Sequence, residues 1–323
     1  MKKSTIAWLI VAASLVLLGA IIFGGLIMAL KFDFSKLNTA KIETNTHTIS
    51  DSFDSIAIDT DTADITFLPS ENEECKVVCN EQENLNHSVE VVDGILNVRR
   101  EDTRKWYEHI GIFSFGKTSM TVYLPQSEYN SLSVNADTSD ISIPNDFKFE
   151  NINVILSTGD VTCSASASDK MSFKASTGDI KLENLSAGCI DISVSTGRVT
   201  ASSVVCGGDI KLKSSTGDAT LTNITCVNLT SKASTGKLNM NNVIASGNFS
   251  IERDTGDVRF ERCDASEITI VTDTGDVKGT LLSDKIFIVD TDTGRKDVPE
   301  TTTGGKCKIT TDTGDIKIII VAD

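Results

Sequence analysis

The tripeptide Asp-Thr-Gly occurs four times, beginning at Asp254, Asp273, Asp292 and Asp312. In aspartic proteases two such tripeptides, one from each lobe, bring together two carboxylates that share a proton. Here the copies recur every 19–20 residues, and in five sister copies Ser157, Ser176, Ser195, Ser215 and Ser234 replace the acid. That is the pattern of a stacked repeat, not of two lobes closing on a substrate. The residue after each glycine forms a second row: Asp160, Asp179, Arg198, Asp218, Lys237, Asp257, Asp276, Arg295 and Asp315. Its interleaved cations read as charge balancing, since stacked like charges about 5 Å apart repel by about 1 kcal/mol even in water. In the last copies two acidic rows flank one turn. Asp254, Asp257, Asp273, Asp276, Asp312 and Asp315 therefore form a candidate Ca²⁺ site, because hard oxygen ligands suit that ion. The competing role is structural, with Asp bonding the N–H groups of its own turn.

The rest of the chain offers little further chemistry. The eight cysteines include no C-x₂-C pair, and His47, His87 and His109 are far apart in sequence, so no zinc site is expected. Cys206 and Cys226 occupy equivalent positions of adjacent repeats, where a disulfide is sterically allowed. There is no G-x-S-x-G elbow and no phosphate-binding loop, so neither an enzyme nor a cofactor is expected. The rival reading is a glycan-active β-helix enzyme using the stacked acids, although the repeats carry no Trp or Tyr to serve as sugar platforms. One insertion, Arg104 to Gly116, concentrates Trp106, Tyr107, Phe113 and Phe115. It reads either as a contact loop for membrane or ligand, or as a flap over the end of the stack.

The elements that must carry these rows follow from the spacing. The nine repeat glycines run from Gly159 to Gly314. Positions seven and five residues before each glycine, and two and four after it, are mostly apolar and alternate with polar residues: Ile210, Leu212, Ala219 and Leu221 around Gly217 are typical. A period of two with one apolar face marks strands. The glycine supplies a positive-φ corner between them, and the preceding threonines can hydrogen-bond along a ladder. Asn184, Asn223 and Asn242, six residues after their glycines, mark a second corner. A constant period near twenty means that coils stack. The fold class predicted is all-β: a parallel β-solenoid of 19–20-residue coils, right-handed by the usual crossover rule. Nine coils at the inter-strand spacing give about 40 Å of length.

Upstream, Ile6 to Leu30 is an uncharged run of 25 residues, long enough to cross a bilayer. Lys2 and Lys3 favour a cytoplasmic N-terminus. No convincing cleavage site follows the run, so an anchor is favoured over a signal peptide. The organisation expected is an anchor over residues 1–30, a polar linker over 31–49, atypical β coils with insertions over 50–150, and regular repeats over 151–323. Net charge is −15, and such a surface repels nucleic acid. The strand Ile316 to Val321 closes the sequence with several β-branched residues and reads as an open edge where copies could associate.

Phe53-Asp54-Ser55-Ile56, the segment Thr121-Val122-Tyr123-Leu124-Pro125, the serial Ser-Thr-Gly-Asp turns and the N-terminal anchor together resemble the bacterial putative-adhesin β-strand-repeat family, a domain of unknown function found in LiaG- and LiaX-like envelope proteins. The resemblance spans Ser50 to Asp323. It implies an envelope location, with adhesion or stress sensing as the role and a cell-wall or surface-protein ligand as the partner. It supplies no catalytic residues. The expectation is a single-pass membrane protein whose extracellular solenoid binds or scaffolds at the cell envelope.

Overall fold

The computed structural model describes residues 3–29, 42–103 and 118–321. Lys3–Ala29 is one α-helix. The remaining regular structure is β, joined into a single 24-stranded sheet that winds on itself. The parallel β-solenoid expected from the repeat is what the chain forms. The Gly217 coil shows why. Ile210, Leu212, Ser214, Ala219, Leu221, Ile224 and Cys226 are all buried, while the other residues between them face out. Alternation puts one face of every strand inward, and the next coil covers it with the same alternation in register. One inward column runs Ile152, Met171, Ile190, Ile210, Leu229, Phe249 and Ile268. A buried apolar column of this kind stabilises by about 25 cal/mol per Å² removed from water.

Each coil has further bends besides the glycine corner. Asn184, Asn223 and Asn242 have positive φ near +54°, as expected, and Ser203 and Arg262 adopt the same conformation at the equivalent position. Asn242 donates its amide to the Asn223 side chain at 2.9 Å, tying adjacent coils at this bend.

The ends of the stack do not follow sequence order. Ser55–Thr60 pairs with Glu128–Thr138 on one side and with Ile95–Asp102 on the other, all parallel. The coil of residues 55–69 therefore lies inside, and the later coil of 95–124 lies outside it. The far end repeats the device. Val277–Leu281 pairs with Ile316–Ile320, which in turn pairs with Lys296–Asp297. The Gly314 coil is thus inserted between the Gly275 and Gly294 coils. This corrects the open-edge expectation for Ile316 to Val321. Ile316 and Ile318 are buried because coils lie on both sides of them, and the stack ends at the Gly294 coil. Lys296 at an inward position, with Phe287 and Val289 only half buried, fits a coil covered on one side alone.

The N-terminal end is capped by antiparallel strands. Cys75–Gln82 pairs with Thr118–Leu124, Ile42–Ile49 lies on Cys75–Gln82, and Leu85–Val92 lies on Ile95–Asp102 across a hairpin at Asp93 and Gly94, both positive in φ. Residues 42–49, read as linker, are therefore strand. They lack apolar alternation because one face meets solvent and the other covers a polar layer containing Asn45 and Glu81. Beside this cap Tyr129 stacks between Phe53 and Phe149, with ring centroids 6.0 and 5.7 Å away, and donates its hydroxyl to the Pro125 carbonyl.

The insertion makes a specific prediction. Removing residues 305–323 strips the Gly314 coil and leaves the Gly294 coil with no neighbour, so amides over 285–297 should lose hydrogen-exchange protection along with those over 277–281. Retained protection over 285–297 would mean that this coil stacks directly on the Gly275 coil.

Candidate functional site

At the repeated corner the glycine is demanded by contact as well as conformation. Gly217 has φ +141°, and a Cβ there would lie 1.8 Å from the Gly197 carbonyl oxygen. The rung across this corner is backbone: Gly197 N–H donates to Thr216 O at 3.0 Å, and Gly217 N–H to Thr235 O at 2.9 Å. The threonine carbonyls, not their hydroxyls, link these coils.

The acidic row after the glycines has a defined task. Asp140 Oδ1 accepts Asp160 N–H at 2.9 Å, Asp160 accepts Asp179 N–H at 2.7 Å, and Asp179 accepts Arg198 N–H at 2.7 Å. The series continues from Asp218 to Lys237, from Asp257 to Asp276, from Asp276 to Asp315, and from Asp315 to Arg295. Each carboxylate satisfies an amide that the bend turns away from the ladder. The cations are drawn into the same row: Arg198 Nη2 lies 2.9 Å from Asp179 Oδ2.

The six aspartates of the candidate Ca²⁺ site therefore divide. Asp257, Asp276 and Asp315 each turn one oxygen onto a neighbouring backbone amide. Asp276 is also bonded by the Lys278 ammonium at 2.6 Å, which holds its carboxyl below the usual range. Asp254, Asp273 and Asp312 are exposed in the outer row, with Asp312 beside Asp273 because of the inserted coil. Among the described residues the six do not form a group of three carboxylates with mutually close oxygens.

One arrangement was not visible in the sequence. Glu81, 1% exposed, accepts the Asn45 amide at 2.7 Å, the His87 backbone N–H at 2.9 Å, and lies 2.6 Å from His87 Nδ1. Thr60 Oγ1 lies 2.8 Å from His87 Nε2. Cys79 lies in the same layer, and burial pushes its thiol up to about 12. His87, far in sequence from the other histidines, is thus at the centre of a polar cluster. The cue was Glu81 itself, an acid at an inward position of an alternating strand. The carboxylate–imidazole–hydroxyl line has the order of an acyl-transfer triad, but Thr60 is 4% exposed and its oxygen offers no approach to a substrate carbonyl.

A second buried polar pair lies deeper in the stack. Arg253 occupies an inward position at 1% exposure, and its Nη2 donates to Ser231 Oγ at 2.6 Å. Ser231 stands where other coils carry a larger apolar residue, and the arginine fills that space. Burial lowers its pKa to about 10, so it stays charged at neutral pH.

On the outer face toward the far end, a trough of about 500 Å³ crosses the coils. Arg259, Lys278 and Lys317 stack in register along one side, with Glu261, Thr280 and Ile319 on the other. Gly279 lies along it, where a Cβ would lie 2.3 Å from the Phe260 ring of the adjacent coil. Trp106, Tyr107, Phe113 and Phe115 lie outside the described residues. All eight cysteines are free, Cys206 and Cys226 included, and Cys189 is exposed.

In-register corner ladders, buried alternating faces and capped ends define an all-β solenoid domain. The family model described as Toastrack DUF4097 matches residues 53–218 and 190–323. The chain belongs to that family. No curated protein matches it. Similar solved structures include a putative adhesin from Bacteroides fragilis NCTC 9343, 14% identical with a TM-score of 0.41, covering 87% of this chain and 97% of that one. A putative adhesin from Parabacteroides distasonis ATCC 8503 is 14% identical with a TM-score of 0.41, covering 85% of this chain and 98% of that one. A putative lipid binding protein from the same organism is 14% identical with a TM-score of 0.29, covering 86% and 97%.

The corner can be tested by substitution. Gly217→Ala should destabilise the chain by about 3 kcal/mol, through strain and contact with the Gly197 carbonyl. Asp160→Ala should cost about 1 kcal/mol by uncapping Asp179 N–H, and Asp160→Asn, which keeps an acceptor oxygen, should cost less. Denaturant midpoints measure both, and equal losses for the two Asp160 variants would contradict the cap.

Proposed function

We propose that this chain is a membrane-anchored, extracellular binding or scaffold module of the bacterial cell envelope. The observation that carries this reading is the N-terminal helix. Its window Trp8–Gly25 has a mean hydropathy of 2.4 and none of it is buried by the rest of the protein. An apolar helix of that length, left uncovered, is compatible with water only at great cost, whereas a bilayer satisfies it. Lys2 and Lys3 before it favour retention of that end in the cytoplasm, which puts the solenoid outside.

The solenoid suits presentation of a surface. Its corners are fixed by backbone contacts and its interior is filled by side chains, so the faces are rigid. The trough is the contact region proposed. Arg259, Lys278 and Lys317 gather cations in one column of a chain whose net charge is −15, each paired with a neighbouring acid: Asp257 at 3.0 Å, Asp276 at 2.6 Å and Asp297 at 3.4 Å. Their aliphatic stems also cover apolar surface. An anionic cell-wall polymer or an acidic surface protein engages this column by exchanging with those carboxylates, while the remaining acidic surface repels the same ligand elsewhere and so favours one contact mode.

A two-arm experiment tests the proposal. A membrane-impermeant maleimide should label Cys189 on intact cells expressing the full chain, and the Cys189→Ser variant should lose that label. Full chain in detergent should co-sediment with isolated cell walls, and the Lys278→Glu/Lys317→Glu double variant should do so several-fold less. Labelling only after lysis would contradict the topology. Wall binding unchanged by the double variant, or absent in the parent, would contradict the proposed contact.

A further inference from the structure

We propose that Cys79, Glu81 and His87 form a binding site for one divalent transition metal ion of the zinc class, within the antiparallel cap. Cys79 Sγ, a Glu81 carboxylate oxygen and a His87 ring nitrogen all lie within 4.8 Å of one another, and all three residues are buried. A tetrahedral ion with bonds near 2.0–2.3 Å holds its ligand atoms about 3.3–3.5 Å apart. The three atoms reach that spacing with sub-ångström to ångström-scale movement. His87 Nδ1 and Glu81 Oε2, now 2.6 Å apart, would open by less than 1 Å as the ion replaces the proton between them.

The chemistry of the set is selective. One thiolate, one imidazole and one carboxylate suit a borderline ion better than Ca²⁺ or Mg²⁺, which prefer oxygen alone. The charges also match, because a thiolate and a carboxylate together offset the dication. Binding as thiolate sends the Cys79 proton to solvent, and the proton displaced from Nδ1 is carried on Nε2, which then donates to Thr60 Oγ1.

The surroundings are those of a ligand set. Thr60 Oγ1 holds His87 Nε2 at 2.8 Å, which leaves Nδ1 for the ion and fixes the ring plane, and the Asn45 amide holds the other Glu81 oxygen at 2.7 Å. Outer partners of this type orient metal ligands and raise their basicity. Several polar atoms in this region remain without partners, Asn86 Oδ1 and the Nε of Arg100, the residue across from His87, among them. Cys79 Sγ makes no hydrogen bond among the described residues. His47, two positions along the same face from Asn45, the residue paired with Cys79, has a buried and unpartnered Nε2.

The ligands come from two strands, Cys75–Gln82 and Leu85–Val92. These are joined to each other through a single registered pair, Gln82 with Leu85. An ion there would tie the two halves of the cap together where the ladder scarcely does.

The test uses full-length protein in detergent, stripped with EDTA, kept reduced and titrated with Co²⁺. One equivalent should bind with a near-ultraviolet sulfur-to-cobalt charge-transfer band and intense visible bands of a tetrahedral site. Zn²⁺ should abolish both. Cys79→Ser should lose the charge-transfer band, whereas Cys189→Ser should keep it. X-ray absorption of the parent protein with one equivalent of Zn²⁺ should show one sulfur at about 2.3 Å with nitrogen or oxygen at about 2.0 Å. This measurement decides the matter even if Cys79→Ser does not fold. Absence of a thiolate band, its survival in Cys79→Ser, its loss in Cys189→Ser, or a zinc shell with no sulfur or with several would each overturn the proposal.

Discussion

The structure depends on one close approach. At each glycine corner the backbone of one coil passes so near the next that a Cβ would overlap a carbonyl oxygen, as between Gly217 and Gly197 at 1.8 Å or Gly178 and Gly159 at 1.9 Å. Only glycine meets that contact, and at all of these corners but Gly275 it meets a positive φ as well. Once the corner is fixed, the strands on either side are held in register, because a slip by one residue would turn every inward side chain outward. The aspartate after the glycine then caps the amide that the bend exposes. The Thr-Gly-Asp phrase is therefore a structural joint first, and its acids are engaged before any ligand arrives. Asp257, Asp276 and Asp315 are held in this way, while Asp254, Asp273 and Asp312 stand exposed in the outer row.

The ends of the stack solve a second problem. A parallel solenoid ends in strands with open backbone edges, which invite pairing between copies. Here each end is folded back on itself. The coil of residues 55–69 is covered by a later one, and the Gly314 coil is held between two earlier ones. The N-terminal end is further closed by antiparallel strands, whose inner face is polar where Glu81, His87 and Asn45 meet. The most apolar strand near the C-terminus is consequently interior, and the coil left at the edge is the one carrying Lys296, Arg295 and Asp297.

Much of the fold was legible in the chain. Alternation at fixed distances from the glycines gave the inward faces, and the period gave the stack. The bend marked by Asn184, Asn223 and Asn242 was legible because Asn tolerates left-handed backbone. The same bend at Ser203 and Arg262 was not, since the neighbouring coils impose it on residues with no such preference. Coil order was hidden for a different reason. Every repeat presents the same pattern to every other, so local sequence cannot say which two are neighbours. Lys296 at an inward offset was the one cue that its coil lies at an end. The cluster around His87 was hidden because its members come from separate strands that only the cap brings together.

Corner geometry fixes register while the ends are threaded out of sequence order. Cysteine pairs placed at outward register positions test it directly. Val271 and Thr310 are partners across one rung, and Thr310 is in turn the partner of Asp290. Adjacent rungs lie about 4.8 Å apart, within disulfide reach, and two rungs about 9.6 Å, beyond it. In a background with Cys189 removed, oxidation should cross-link the pair at 271 and 310 and leave the pair at 271 and 290 unlinked. Cross-linking at 271 and 290, with none at 271 and 310, would show the coils stacked in simple sequence order and contradict the account.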